Sequence, residues 1–278
     1  MSIFDVQLEK NRANFEPLTP VSFLKRAAQV VPDHVAIIHG KRRYTYRTFL
    51  DRSCRLANAL SARNIAAGDC VAIMAANTPE MLEAHNAVPM IGAVLNSLNI
   101  RLDPQTIAFV LDHGEAKVLL TDCAFSSVVK DALALIDREI LVIDIDDSES
   151  EGGERLGEMT YEEFIESVSG EFSSEQPTDE WQALSLLYTS GTTGNPKGCV
   201  YHHRGAYLNA IGNMTTMGLN RNSVYLWTLP MFHCDGWTFT WAVTAAMGTH
   251  VCLRAVEPKA VFDSISENSV THMCGAPI

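Results

Sequence analysis

Apolar runs of strand length alternate along this chain with stretches whose apolar residues recur at helical spacing. Thr19-Pro20 reads as a helix start, a hydroxyl cap followed by proline at the first helical position, and Val21, Leu24, Ala28 and Val31 then share one face. Val35 to Ile38 and Val71 to Met74 are expected strands. Thr78-Pro79 repeats the cap signal before a second helix that reaches about Ala87. Val118 to Leu120 and Ile140 to Ile145 read as buried strands. A strand at Ala183 to Tyr188, a helix from about Arg204 and a strand at Val224 to Leu229 follow. A helix from Trp237, a strand at His250 to Leu253 and a helix over Glu257 to Ser266 complete the series, and Val270 to Met273 has the character of an interior strand. Alternation of this kind implies α/β sheets with helical cover.

The pattern breaks within Ser148 to Thr178, where Gly152-Gly153 and a Ser/Glu-rich stretch interrupt it. The expected organisation is therefore a first α/β lobe over residues 1–150, an acidic connecting segment over 151–180, and a second α/β lobe over 181–278. At 278 residues and 47% hydrophobic content, the chain can bury a sizeable core. Its net charge of −12 is unevenly placed. Asp144 to Glu180 holds 14 of the 33 acids and one base, Arg155, so the remainder is nearly neutral. Nucleic-acid binding needs clustered basic charge, which is lacking here. No apolar run approaches 18 residues, so no membrane span is expected. Seven scattered cysteines without a C-x-x-C pair suggest reduced thiols, and the charged first dozen residues argue against a secretory signal. A cytoplasmic location is the expectation.

One stretch carries most of the chemistry. Tyr188 to Gly198 reads Y-T-S-G-T-T-G-N-P-K-G, directly after an apolar strand. Glycines let backbone N–H groups approach an anion, and hydroxyls and one ammonium add further donors. It is not a Walker A loop, because Lys197 follows Pro196 and no Ser or Thr comes after it. No G-x-S-x-G elbow marks a serine hydrolase. The His202-His203 pair lacks a metal-binding partner one helical turn on, so it is read as structural.

The loop resembles the phosphate-binding loop of the adenylate-forming superfamily, which includes acyl-CoA synthetases, luciferases and the adenylation domains of peptide synthetases. Leu229-Pro230-Met231-Phe232-His233-Cys234-Asp235-Gly236-Trp237 resembles that family's L-P-x-F-H segment, and Gly275-Ala276-Pro277-Ile278 is a weaker match. Pro20 to Ala28 and Asn96 to Leu102 resemble the branch of short- and medium-chain acyl-CoA synthetases.

The resemblance implies the N-terminal part of the synthetase large domain, two α/β lobes with mixed sheets and helical cover. It implies ATP-dependent activation of a short- or medium-chain fatty acid, or a small aromatic acid, to an acyl-adenylate. Thioester formation with coenzyme A follows. ATP, Mg2+ and coenzyme A are the implied cofactors, and a small carboxylic acid is the implied partner. Thr189, Ser190, Gly191, Thr192, Thr193, Gly194 and Lys197 would surround the phosphates, with Thr189 also facing magnesium. Lys197 and His233 would be catalytic. His233, Cys234, Gly236, Trp237, Gly275, Ala276 and Pro277 would line the substrate pocket, with Trp237 on one helix face with His233. The chain stops before the family's Tyr-Gly-x-Thr-Glu segment, hinge and small C-terminal domain. Alone it is accordingly expected to be inactive, and copies are expected to associate through exposed apolar surface. Two alternatives fit the same loop: a nucleotide-binding or interaction protein without catalysis, and an adenylation domain of another adenylate-forming enzyme.

Overall fold

The computed structural model describes residues 2–11, 13–150, 152–171, 177–189 and 195–275. After α1 (Val21–Val30), the strands β1 (Val35–His39) and β2 (Arg42–Thr45) form an antiparallel hairpin, and α2 (Tyr46–Ala62) follows. A run of crossovers then lays down β3 (Cys70–Met74), α3 (Pro79–Met90), β4 (Val94–Ser97), α4 (Pro104–His113) and β5 (Ala116–Asp122). It continues through α5 (Ser126–Leu133), β6 (Leu141–Ile145), β7 (Met159–Thr160) and α6 (Tyr161–Glu166). The strands β8 (Ala183–Tyr188) and β9 (Gly198–His202) close this sheet before α7 (His203–Thr216). The remaining elements are β10 (Val224–Leu226), a short turn of helix α8 (Cys234–Trp237), α9 (Phe239–Ala245), β11 (Thr249–Val251), α10 (Pro258–Asn268) and β12 (His272–Met273).

Two mixed sheets result. The larger has the order β7-β6-β5-β3-β4-β8-β9 and is parallel except for β9. The smaller has the order β12-β10-β11-β1-β2 and is parallel except for β2. Strands from both sides of the acidic segment enter each sheet, where the sequence pattern placed one lobe on either side of residues 151–180. The Val270 to Met273 run supplies an edge strand among the described residues. The helix over Tyr46–Ala62 has no counterpart among the expected elements, although Thr45 caps it by accepting the Thr48 N–H.

Helix α3 lies wholly inside, with all 12 of its residues buried. Pro89 has no N–H, so the His85 carbonyl four residues earlier loses its helical partner. The indole Nε1 of Trp241 donates to that carbonyl instead, at 3.1 Å.

A charged clamp joins the two sheets. Asp147, just past β6, accepts His39 Nε2 at 2.8 Å and Arg42 at 3.0 Å, and pairs with Arg254. Arg254 also reaches Asp122 at 2.8 Å, and Arg42 reaches Glu80 of α3 at 2.7 Å. Burial alone would raise the Asp147 carboxyl, but hydrogen bonds from His39, the Glu149 N–H and Arg254 hold it well below the usual carboxylate range. Arg254→Met should cost about 3 kcal/mol, since it leaves the buried Asp122 carboxylate without a cation and takes one of the partners of Asp147, and urea unfolding measures it.

Two buried imidazoles stay neutral. His250 accepts the Trp227 indole N–H on Nδ1 at 3.1 Å. Thr244 Oγ1 lies 3.0 Å from His250 Nε2 and donates its own proton to the Thr240 carbonyl, so Nε2 carries the ring proton. Burial lowers His250 to about 3. His203, bonded to Thr19 Oγ1, is lowered to about 4 by burial and by His202. Both folded values lie below the ordinary 6.5, so the unfolded chain takes up protons first as pH falls. Their contribution is complete above pH 6.5 and declines below it. Each ring should remove about 2 kcal/mol between pH 6.5 and pH 5. Urea unfolding across that range checks this, and His203→Gln should flatten the slope.

Candidate active site

The antiparallel pair β8–β9 presents the glycine- and hydroxyl-rich stretch at its tip. Leu184 and Leu187 of β8 turn into the core, which seats the hairpin. At its neck the Thr189 N–H donates to the Lys197 carbonyl at 3.0 Å, and the Lys197 N–H points back to Thr189 Oγ1 at 3.4 Å. Ser190, Gly191, Thr192, Thr193 and Gly194 lie outside the described residues. Thr189 and Lys197 are exposed, and Lys197 makes no ion pair among the described residues.

Beside the neck lies a cavity of about 370 Å³, at the carboxyl ends of the adjacent parallel strands β4 and β8. This is where open α/β sheets place ligands. Asn96 to Asn99, Tyr188, Thr189, Pro196, Tyr201 and His233 are among its walls, and among the described residues none that lines it is an Asp or Glu. A second cavity, of about 470 Å³, opens beyond it between β9, α7 and Trp237. Tyr201 and Cys234 line both. Burial pushes the Tyr201 phenol well above its ordinary range, reinforced by the neighbouring Cys234 thiol.

Asn77 at the end of β3 fixes the segment that carries His233. Its amide donates to the carbonyls of Trp227 (3.0 Å) and Leu229 (2.9 Å), and its oxygen accepts the Met231 N–H at 2.8 Å. Past His233 the backbone departs from the expected right-handed helix. Cys234, Asp235, Gly236, Trp237 and Thr238 all have φ between +51° and +61°, giving one left-handed turn before α9 begins at Phe239. Four of these five residues carry a Cβ, and each costs about 1–2 kcal/mol in that conformation. His233 and Trp237 consequently do not share a helix face. His233 faces the first cavity and Trp237 the second. On the outer side, Asn213 Nδ2 donates to the Trp237 carbonyl at 2.6 Å and Asn209 Nδ2 to Thr238 Oγ1 at 2.8 Å.

Residues 24–278 match the model of a family described as AMP-binding enzyme. The chain belongs to the AMP-binding enzyme family. It is 45% identical, over 98% of its length, to an acetate–CoA ligase of Humulus lupulus. It is 44% identical, over 95% of its length, to a peroxisomal benzoate–CoA ligase of Arabidopsis thaliana. These alignments cover 50% and 47% of the two relatives, so the chain spans about half the length of the curated relatives it matches. Among solved structures, the o-succinylbenzoate CoA synthetase of Bacillus subtilis in complex with ATP and magnesium ion superposes with a TM-score of 0.75 at 26% identity. That match covers 93% of this chain and 49% of that one.

Against this family background the expected site residues divide. Thr189, His233 and Cys234 meet at the first cavity, with Lys197 beside it at the hairpin neck, and Trp237 and Cys234 meet at the second. Gly236 lines neither cavity. It is buried against Trp227, where a Cβ would come within 2.5 Å of the ring. Gly275 also lines neither, being exposed just after β12, and Ala276 and Pro277 lie outside the described residues. The sequence left Tyr201, Asn209 and Ser97 unassigned. Tyr201 could have been found from β9, where period-two alternation puts Cys199 and Tyr201 on the face toward the first cavity. His202 accepts the Gly205 N–H and caps α7, in keeping with its structural assignment.

Gly236→Ala meets both the Trp227 ring and a φ of +60°. It should destabilise the AMP-binding chain by about 2–3 kcal/mol, read as a lower midpoint in thermal unfolding.

Proposed function

We propose that this chain supplies the phosphate-binding half of a carboxylic acid–CoA ligase. The observation that carries the reading is the cavity at the mouth of the β8–β9 hairpin, lined by no carboxylate among the described residues and flanked by His233 and by Lys197, which has no ion-pair partner among them. An anion meets no opposing charge there, and hydroxyl, amide and imidazole groups line the walls. The residues present therefore fit a nucleotide triphosphate. Thr189 would help to hold magnesium, whose charge would offset that of the phosphates.

The chemistry has two steps. A carboxylate oxygen attacks the α-phosphorus of ATP and pyrophosphate leaves, giving the acyl-adenylate. The thiol of coenzyme A then attacks the acyl carbon, AMP leaves, and the thiol proton passes to solvent. Lys197 places a compact positive charge where pyrophosphate builds negative charge, and such a group is worth about 3 kcal/mol in the transition state. His233 holds the carboxylate end at the first cavity, and the hydrocarbon enters the second past Tyr201 and Cys234. Trp237, 57% exposed, limits its depth. The acids named for the two relatives run from acetate to benzoate, which favours small aliphatic or aromatic substrates here. Seven free cysteines suit a reducing compartment such as the cytosol.

A chimera that joins this chain to the matching second half of the Humulus lupulus acetate–CoA ligase tests the reading. It should release pyrophosphate from ATP only when an acid is present. Lys197→Ala should lower that rate about 10²-fold while acid binding changes little, and an unaltered rate removes the phosphate assignment. In the same chimera, Trp237→Ala should shift preference toward longer acids by about 1–3 kcal/mol per methylene, seen across a chain-length series. A flat, unshifted profile takes Trp237 out of the pocket.

A further inference from the structure

The left-handed turn that carries Cys234 to Thr238 stands on a carboxylate with no access to water. Asp235 is 0% exposed. Its Oδ1 accepts the Ser185 hydroxyl of β8 at 3.1 Å and lies 3.4 Å from His85 Nε2 of α3. Its backbone carbonyl accepts Thr240 Oγ1 at 3.1 Å, which ties the turn to the start of α9. The orientation of His85 is itself fixed. Nδ1 lies 2.7 Å from the Met81 carbonyl, an acceptor only, so Nδ1 donates. Trp241 meets the imidazole edge-on, with ring centroids 5.6 Å apart. Nε2 then faces the carboxylate, in contact with Oδ1 but without a hydrogen bond.

We infer that Asp235 is a positioning residue: through His85 and Ser185 it locks the left-handed turn that directs His233 and Trp237 to their separate cavities. Without an anchor, L-residues leave this backbone conformation for the right-handed one. Such a change would swing both side chains about the strand end. Strained backbone persists only where its surroundings over-determine it. Here α3 and β8 meet the Asp235 side chain and α9 its backbone carbonyl, so three elements converge on this one buried residue of the turn. The inference deepens the ligase reading by naming what holds that site's two working side chains apart.

Tryptophan fluorescence tests it on the chain itself. Trp181 is 67% exposed and Trp237 57%, while Trp227 and Trp241 are fully buried. In a Trp181→Phe background, Trp237 is therefore the one exposed indole, and Trp237→Phe gives the contribution of the other two. Asp235→Ala should raise the amplitude of the nanosecond component of the anisotropy decay roughly twofold. Asp235→Asn should restore the parent decay, because a carboxamide of the same shape keeps at Oδ1 the acceptor for the Ser185 hydroxyl. Ser185→Ala should give an intermediate amplitude, and it decides the matter if Asp235→Ala does not unfold cooperatively. A parent-like decay in the folded alanine variants overturns the assignment, as does an asparagine variant as mobile as the alanine one. The readout is the motion of the turn and not turnover, so its failure and the failure of the ligase reading can be told apart.

Discussion

A helix without a water-facing side must find every polar partner inside the protein, and α3 imposes that constraint on its surroundings. Three of the polar side chains along it each reach a different neighbour. Glu80 takes Arg42 of β2, Glu83 takes Arg52 of α2 and the Tyr161 hydroxyl of α6, and His85 faces Asp235 of α8. Asn86 turns back to the Leu82 carbonyl of its own helix. Leaving any of these groups unpartnered would cost about 1–3 kcal/mol, more where it is charged. The elements around α3 are therefore placed by charge and hydrogen bonding as well as by apolar burial.

The candidate site inherits its geometry from that arrangement. The parallel strands β4 and β8 end side by side and leave a space at their carboxyl ends, and the β8–β9 hairpin overhangs it. Its electrostatic character comes from what is kept elsewhere. Many acids of the 144–180 segment are matched with bases away from the cavity: Glu158 with Arg63, Glu162 with Arg52, Glu154 with Lys130, and Glu180 with Arg204. Among the described residues Lys197 has no carboxylate of its own, which suits a group meant to meet a phosphate.

Local signals carried much of this architecture. The strand expected at Ala183 to Tyr188 forms over those same residues, and β5, β6, α7 and α10 fall within a few residues of their predicted places. Thr189, Lys197 and His233 could be singled out because glycine spacing and residue chemistry are properties of neighbours in the chain. Pairings between distant segments left no such trace, so nothing in Val35 to Thr45 announces that it joins β11. The helix expected from Trp237 starts at Phe239, but the left-handed turn ahead of it went unannounced for a related reason. The side chains of Cys234 to Thr238 suit a right-handed helix, and the opposite hand is enforced by Asp235, His85, Ser185 and Trp227, three of them far away in sequence or on other elements. Gly236 is the one local hint.

Pro89 shows how an absent atom can shape a fold. Because it offers no N–H, the His85 carbonyl is left for the Trp241 indole to reach. A residue with an N–H at position 89 would compete for that carbonyl, and the indole bond would weaken. A phenylalanine at position 241 would fill the space and leave the carbonyl dry. Either change alone costs up to about 1–3 kcal/mol, whereas the two together offset each other. Positions 89 and 241 should therefore vary as a pair across the descent of this chain, a coupling written by one missing proton.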